Sequence, residues 1–194
     1  MVCLRPAAIP AGIPPQSRYP SARRSHEIAA ACYSRFMENT FSTEMQAPRQ
    51  IVFDFLDDES NLKKIVPNLV DAGVTHETPE KVGSTFWHVY EENGRKMKMT
   101  GVVTEHNAPH GFAVKLDGAF FGLEVSYHLD ELTPTSTRVT QYSKARFKHV
   151  FKLMGLFFGK KMQREGERVQ AENFARMKEM IEAEARAAEA SSGD

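Results

Sequence analysis

The chain has 194 residues, 41% of them hydrophobic and 26% charged, enough for one globular domain with a proper core and with no compositional demand for a second. No window approaches the roughly eighteen uninterrupted apolar residues of a membrane span, so no integral span is expected. Net charge is zero, but residues 1–36 hold five arginines against one acid and the remainder twenty Lys/Arg against twenty-four Asp/Glu, which excludes nucleic-acid binding by the folded part on electrostatic grounds.

Residues 1–36 carry five prolines, several Ser, Ala and Arg, and no clear period before His26 to Ala31. That composition buries too little surface to order itself, and a disordered extension is expected. It reads either as an inert or over-extended start ahead of Met37 or as an Arg-rich, acid-poor transit peptide. Both cysteines, Cys3 and Cys32, lie in it; neither a disulfide framework nor a Cys-based metal site is implied, and a reducing, cytoplasmic setting is the default.

From Thr40 to Met45 polar and larger groups alternate, a strand with Phe41, Thr43 and Met45 on one face. Ala47-Pro48 stops it, and Pro48 opens a short amphipathic helix on Ile51, Val52, Phe55 and Leu56 that ends at Asp57-Asp58. Ser60 is expected to cap a second short helix through Leu62 and Ile65, which Pro67 terminates. The stretch to Phe147 then reads as an antiparallel meander: strands at Val70 to Glu77 and Gly83 to Glu91, with a turn at Thr78 to Lys81 between them.

Asn93-Gly94 is a strong hairpin signal. As a two-residue turn it pairs Tyr90 with Met97, His88 with Met99 and Phe86 with Gly101 on one face; a three-residue loop puts Trp87 and Val89 there instead, because a one-residue slip inverts every side chain. Asp117-Gly118 predicts a second hairpin with Leu116 opposite Ala119, Val114 opposite Phe121 and Phe112 opposite Leu123. That apolar face continues through Val125, Tyr127 and Leu129, and through Val139, Gln141, Ser143, Ala145 and Phe147 after a turn at Thr133 to Thr135. Lys115, Glu124, Ser126, His128, Arg138, Lys144 and Arg146 fall on the opposite, polar face.

Lys148 to Arg186 predicts one long amphipathic helix, entered through the apolar run Phe151 to Phe158. Phe158, Met162, Gly166, Val169, Phe174, Met177 and Ile181 form its apolar stripe, while Lys160, Lys161, Arg164, Glu167, Arg168, Glu172 and Glu182 take the other side. The end after Glu182 is expected to fray and residues 188–194 to form a disordered tail. The architecture is thus one domain over residues 37–187: strand, two short helices, six strands, long helix.

This order resembles the helix-grip fold of the START-like (SRPBCC) superfamily, which includes polyketide cyclases, the birch-pollen-allergen group and lipid-transfer domains. The resemblance spans roughly residues 39–185 and rests on Ala47-Pro48-Arg49-Gln50-Ile51-Val52-Phe53-Asp54-Phe55-Leu56-Asp57-Asp58, Asn61-Leu62, Val66-Pro67, Val82-Gly83-Ser84-Thr85, and Gly101-Val102-Val103-Thr104-Glu105 before Pro109, with the long helix last. It implies an α+β fold with a curved seven-stranded antiparallel sheet whose concave face is crossed by the C-terminal helix. It also implies a cavity between them for a hydrophobic small molecule.

The residues point the same way separately. A curved sheet offers more concave surface than one helix about 10 Å wide can fill, and Met97, Met99, Met154, Met162 and Met177 supply adaptable apolar walls. The expected cavity set is Phe86, His88, Tyr90, Met97, Met99, Val114, Val125, Tyr127, Gln141, Ser143, Met154, Phe158 and Met162. A cyclase would need groups to polarise a carbonyl and move a proton, for which His88, Tyr90 and Tyr127 are the candidates; but the sequence places no carboxylate to orient His88, and a binder without covalent chemistry is the preferred reading.

His76, His88, His106, His110 and His128 do not make a metal site: Asn107-Ala108-Pro109 keeps His106 and His110 off one helical face. Ser143 has no base with a defined partner, and no Gly-rich phosphate loop is present, so neither triad chemistry nor a nucleotide or other cofactor is expected. The Phe151 to Phe158 run, flanked by Lys148, Lys152, Lys160 and Lys161, reads as a lid over the cavity mouth that bends at Gly155 and Gly159. A dimer contact or a weak peripheral membrane contact are its alternatives, so monomer and homodimer both remain open.

Overall fold

Local chemistry sets most element boundaries. The computed structural model describes residues 36–92, 94–148 and 151–192, the side chains of 36, 151–163 and 192 excepted. Of the extension expected at residues 1–36, only Phe36 falls within them, as the first residue of β1 (Phe36–Met45). Helix α1 (Arg49–Asp57) begins after Pro48, which stands at the N-cap rather than at the first helical position. Its amphipathic face buries Val52, Phe53 and Phe55.

Helix α2 (Glu59–Ile65) is capped by Asp58 and not, as expected, by Ser60. The Asp58 carboxylate accepts from the Ser60 amide and hydroxyl, each at 2.8 Å, so Ser60 supplies one of the orphan amides of the first turn instead of satisfying it. Asp58 both closes α1 and opens α2, which fixes the bend between them.

The strands β2 (Leu69–His76), β3 (Thr85–Glu92), β4 (Arg95–Asn107), β5 (Gly111–Gly118), β6 (Phe121–Thr133) and β7 (Ser136–Phe147) join β1 in one antiparallel sheet of order β1-β7-β6-β5-β4-β3-β2. Every neighbour but β1 is a sequence neighbour; α1 and α2 carry the chain from one edge to the other. The β3–β4 register is that of the two-residue turn, with Tyr90 opposite Met97, His88 opposite Met99 and Phe86 opposite Gly101.

The β5–β6 hairpin differs from expectation. Leu116 faces Leu123, Val114 faces Val125 and Phe112 faces Tyr127, because Gly118 continues the strand instead of turning. A Cβ there would lie 3.1 Å from Met99 Cγ, so the glycine serves close packing beneath Met99. Since the displacement is even, the apolar face is the predicted one. In β4, Val103 faces Val114 while Glu105 faces Ala113, which leaves Thr104 as an extra residue.

The densest core lies at one end, where Met45, Ala47, Val52, Phe53, Phe55, Ile65, Leu129 and Val139 meet Phe174, Met177, Ile181 and Ala185 of the last helix. Buried Thr137 ties the end of β1 to β7 by donating from Oγ1 to the Ala47 carbonyl at 2.9 Å. Helix α3 (Phe151–Ser192) is continuous across Gly155 and Gly159, so the apolar run is its beginning and not a hinged segment. It runs to Ser192, past the expected end at Arg186; the alanines there are the strongest helix formers.

Among the described side chains, the predicted apolar stripe is not buried throughout. Residues 164–169 are all exposed, Val169 at 38%, and among the described side chains of the helix Phe174 is the first that is buried. Burial contributes roughly 1.5–3 kcal/mol for each of Phe174, Met177 and Ile181. Polar anchors support the same half: the Gln46 amide donates to Glu182 Oε1 at 2.9 Å, Lys178 Nζ to the Glu44 carbonyl at 2.8 Å, and Arg176 Nε to the Ile65 carbonyl at 3.2 Å.

Candidate ligand cavity

Beside that packed end the sheet and helices stand apart, leaving a cavity of about 980 Å³. Alternation along the strands supplies its wall. Phe86, His88 and Tyr90 project from β3, Met97, Met99 and Val103 from β4, Val114 and Leu116 from β5, Val125 and Tyr127 from β6, and Gln141 from β7. Beyond the extra residue Thr104, His106 takes the same wall as Val103. Phe55, Glu59, Leu62 and Val66 close it from α1 and α2, and Asn173, Phe174 and Met177 from α3. The exposed side chains of Val74 and Phe120 stand at its rim.

Ten of the expected residues are thereby placed. Phe86, His88, Tyr90, Met97, Met99, Val114, Val125, Tyr127 and Gln141 share the wall, whereas Ser143 does not: its hydroxyl donates to the Asn39 carbonyl across the β1–β7 pair at 3.4 Å. The side chains of Met154, Phe158 and Met162 lie outside the described residues. Gln141 is engaged as well, accepting from Gln170 at 2.8 Å, and Gln170 in turn accepts from Asn39.

Gly101 makes room for the floor. A Cβ there would sit 2.3 Å from the Phe86 ring, so the ring lies directly over the glycine. Gly111 is required differently: its φ is +154° and a Cβ would fall 2.1 Å from the Tyr127 carbonyl oxygen, so only glycine lets β5 start that close to β6.

The wall is mostly apolar, and two of its polar groups pair a histidine with a carboxylate. His88, 6% exposed, has Nδ1 at 3.2 Å from the Tyr90 hydroxyl and Nε2 at 3.5 Å from Glu59 Oε1. Glu59 corrects the expectation that no carboxylate faces His88; it arrives from the first turn of α2. Burial pushes the His88 pKa down to about 4, with the Lys63 charge acting in the same direction, so the ring is neutral near pH 7. Burial raises Tyr90 to about 12 and raises Tyr127 too, with the neighbouring Tyr90 adding to the effect, so both keep their protons. Burial raises Glu59 as well, opposed by Lys63.

At the second of these groups His106 Nε2 lies 3.1 Å from Asp57 Oδ1, its ring edge-on to Phe53 at 5.4 Å. Both carboxylates therefore come from the α1–α2 bend, on either side of Asp58. Only part of that was within reach of sequence reasoning. Glu59, Leu62 and Val66 recur at helical spacing and so share one face, but which face meets β3 is set by the bend. Among the described residues no group of three or more His, Cys, Asp or Glu side chains could hold a metal ion, and no helix is long and apolar enough to cross a membrane.

No family model matches the sequence, and neither does any curated protein. Solved structures do match in fold. The Zhui aromatase/cyclase from Streptomyces sp. R1128 is similar at TM-score 0.59 and 13% identity over 78% of this chain and 94% of its own. A START superfamily protein from Mycobacterium smegmatis is similar at TM-score 0.57 and 14% identity over 77% and 97%. The di-domain ARO/CYC StfQ of the steffimycin biosynthetic pathway is similar at TM-score 0.66 and 13% identity over 84% of this chain and 55% of its own. With three helices among the described residues, the long one last, gripped by an open antiparallel sheet, the chain has the helix-grip α+β fold of START-like (SRPBCC) proteins. At these identities the likeness concerns the fold.

Proposed function

We propose that the protein encloses a hydrophobic or amphipathic small molecule between its sheet and C-terminal helix, without covalent chemistry. The observation that carries this reading is the cavity of about 980 Å³, within the range of ~300–1,000 Å³ typical of small-molecule sites and lined as they are, mostly apolar with a few converging polar groups. The START-like and aromatase/cyclase neighbours support the same class of guest. Native mass spectrometry of freshly purified protein, or uptake of the apolar dye Nile red, tests it: a bound guest or saturable dye binding is expected, and neither would be seen if the interior closes in solution.

A second reading has one specific observation in its favour. Tyr90, His88 and Glu59 form a chain within the cavity, and a neutral imidazole between a phenol and a carboxylate suits proton transfer at a bound carbonyl compound. In this cyclase or aromatase-type reading His88 carries the proton and Tyr90 and Tyr127 polarise oxygen. Turnover of aromatic polyketide test substrates that falls at least about 100-fold in His88→Ala is the expected result; no turnover by the parent protein ends this reading and leaves the first intact.

A further inference from the structure

Among the described residues two buried side-chain atoms have no hydrogen-bond partner, Arg49 Nε and Glu59 Oε1, and of the two residues only Glu59 lines the cavity. A carboxylate oxygen withdrawn from water without a donor is costly, and more so than a neutral acceptor. His88 Nε2, at 3.5 Å, is too far for a good bond. On the opposite side of the ring Nδ1 is engaged by Tyr90. A lone pair on Nε2 would be repelled by the Glu59 oxygen it faces, which puts the single proton of the neutral imidazole on Nε2 and makes Nδ1 the acceptor of the Tyr90 hydroxyl. The cavity thus presents one donor and one acceptor side by side.

We propose that the guest of this cavity carries an uncharged hydroxyl, phenolic or alcoholic, on an apolar skeleton, and that this hydroxyl bridges His88 Nε2–H and Glu59 Oε1. The inference rests on the reading that the cavity holds an apolar guest. A hydroxyl oxygen about 2.8 Å from each atom accepts from one and donates to the other. A carboxylate cannot donate and meets Glu59 as a like charge among Phe86, Leu62 and Tyr90. A protonated amine cannot accept from Nε2–H and leaves its own desolvation uncompensated on that side. The Glu59–His88 corner accordingly selects a neutral head group, with Glu59 as its specificity-determining residue.

Four probes of one skeleton separate these cases: 1-naphthalenemethanol, 1-methylnaphthalene, 1-naphthoate and 1-naphthylmethylammonium, each displacing Nile red from the full chain at about pH 8. The alcohol is expected to bind about tenfold more tightly than the other three, the worth of one hydrogen bond to a charged group. In Glu59→Leu, which keeps the volume and removes the acceptor, the alcohol's advantage over 1-methylnaphthalene should shrink to about twofold or less. Glu59→Gln keeps an acceptor without the charge, and should admit 1-naphthoate while retaining part of the alcohol preference. An alcohol that is not the best of the four on the parent protein, or a preference that survives Glu59→Leu, overturns the proposal while Nile red binding keeps the cavity reading standing. Failure of the dye and all four probes to bind the parent removes both.

Discussion

His88 is the residue on which the pH behaviour of the fold turns. An imidazole of ordinary pKa 6.5 when unfolded and about 4 when folded binds its proton only in the unfolded chain between those values. Its contribution to stability is therefore complete above pH 6.5 and is lost as pH falls toward 4, by about 2 kcal/mol after allowing for solvent near the cavity. Glu59 runs the other way: its raised folded pKa withholds stability at neutral pH and returns it as the carboxyl protonates. The His88 part is best read by difference, from urea midpoints of the parent and His88→Asn at pH 7 and pH 4.5; the variant should lose less on acidification, and equal losses would show that the ring is not held neutral. Gly101 gives a second residue-scale expectation. Gly101→Ala must push the Phe86 ring aside, at a cost of about 1–3 kcal/mol in denaturant unfolding and with weaker Nile red uptake; unchanged stability would mean that the ring swings away freely.

At the scale of elements, the described side chains that hold α3 in the core come from its C-terminal half. Phe174→Ala should therefore cost about 3–5 kcal/mol in chemical denaturation, while Val169→Ala, on the same nominal stripe but 38% exposed, should fall within about 0.5 kcal/mol of the parent; comparable losses would show that the exposed turns are gripped as well. Here the limits of the sequence are visible. Strand and helix order was legible because alternation and helical period are local; the β3–β4 face was not, since Asn93-Gly94 left two registers open with opposite faces, and only the structure selects that of the two-residue turn. The β5–β6 register was not legible either, because Asp117-Gly118 is a local turn signal and the competing demand on Gly118, space beneath Met99, comes from β4. The Val169 side of the helix was misjudged for a related reason: periodicity says which residues share a stripe and not how far the sheet extends beneath it. Glu59 was invisible as a site residue because a charged side chain in the first turn of a short helix ordinarily faces water.

Across the whole molecule, packing is uneven by construction, dense where α1, β1 and β7 meet α3 and hollow between α2 and β3–β6. Bulk added at the two ends should have opposite consequences. Val114→Trp enters the hollow and is expected to abolish Nile red uptake with little change in melting temperature. Val139→Phe, at a fully buried site, is expected to cost about 1–3 kcal/mol; a Val114→Trp protein that still takes up dye, or a Val139→Phe protein of parental stability, would contradict this division. The odd residue Thr104 has a wider consequence. It acts as a phase shifter in β4, making odd positions inward up to Val103 and even ones inward from His106. The bulge takes up one residue of length: were the strand regular through Thr104, Glu105 would point inward and His106 to solvent, away from Asp57, whereas excising Thr104 should leave Val103 and His106 two positions apart and still turned to the same interior.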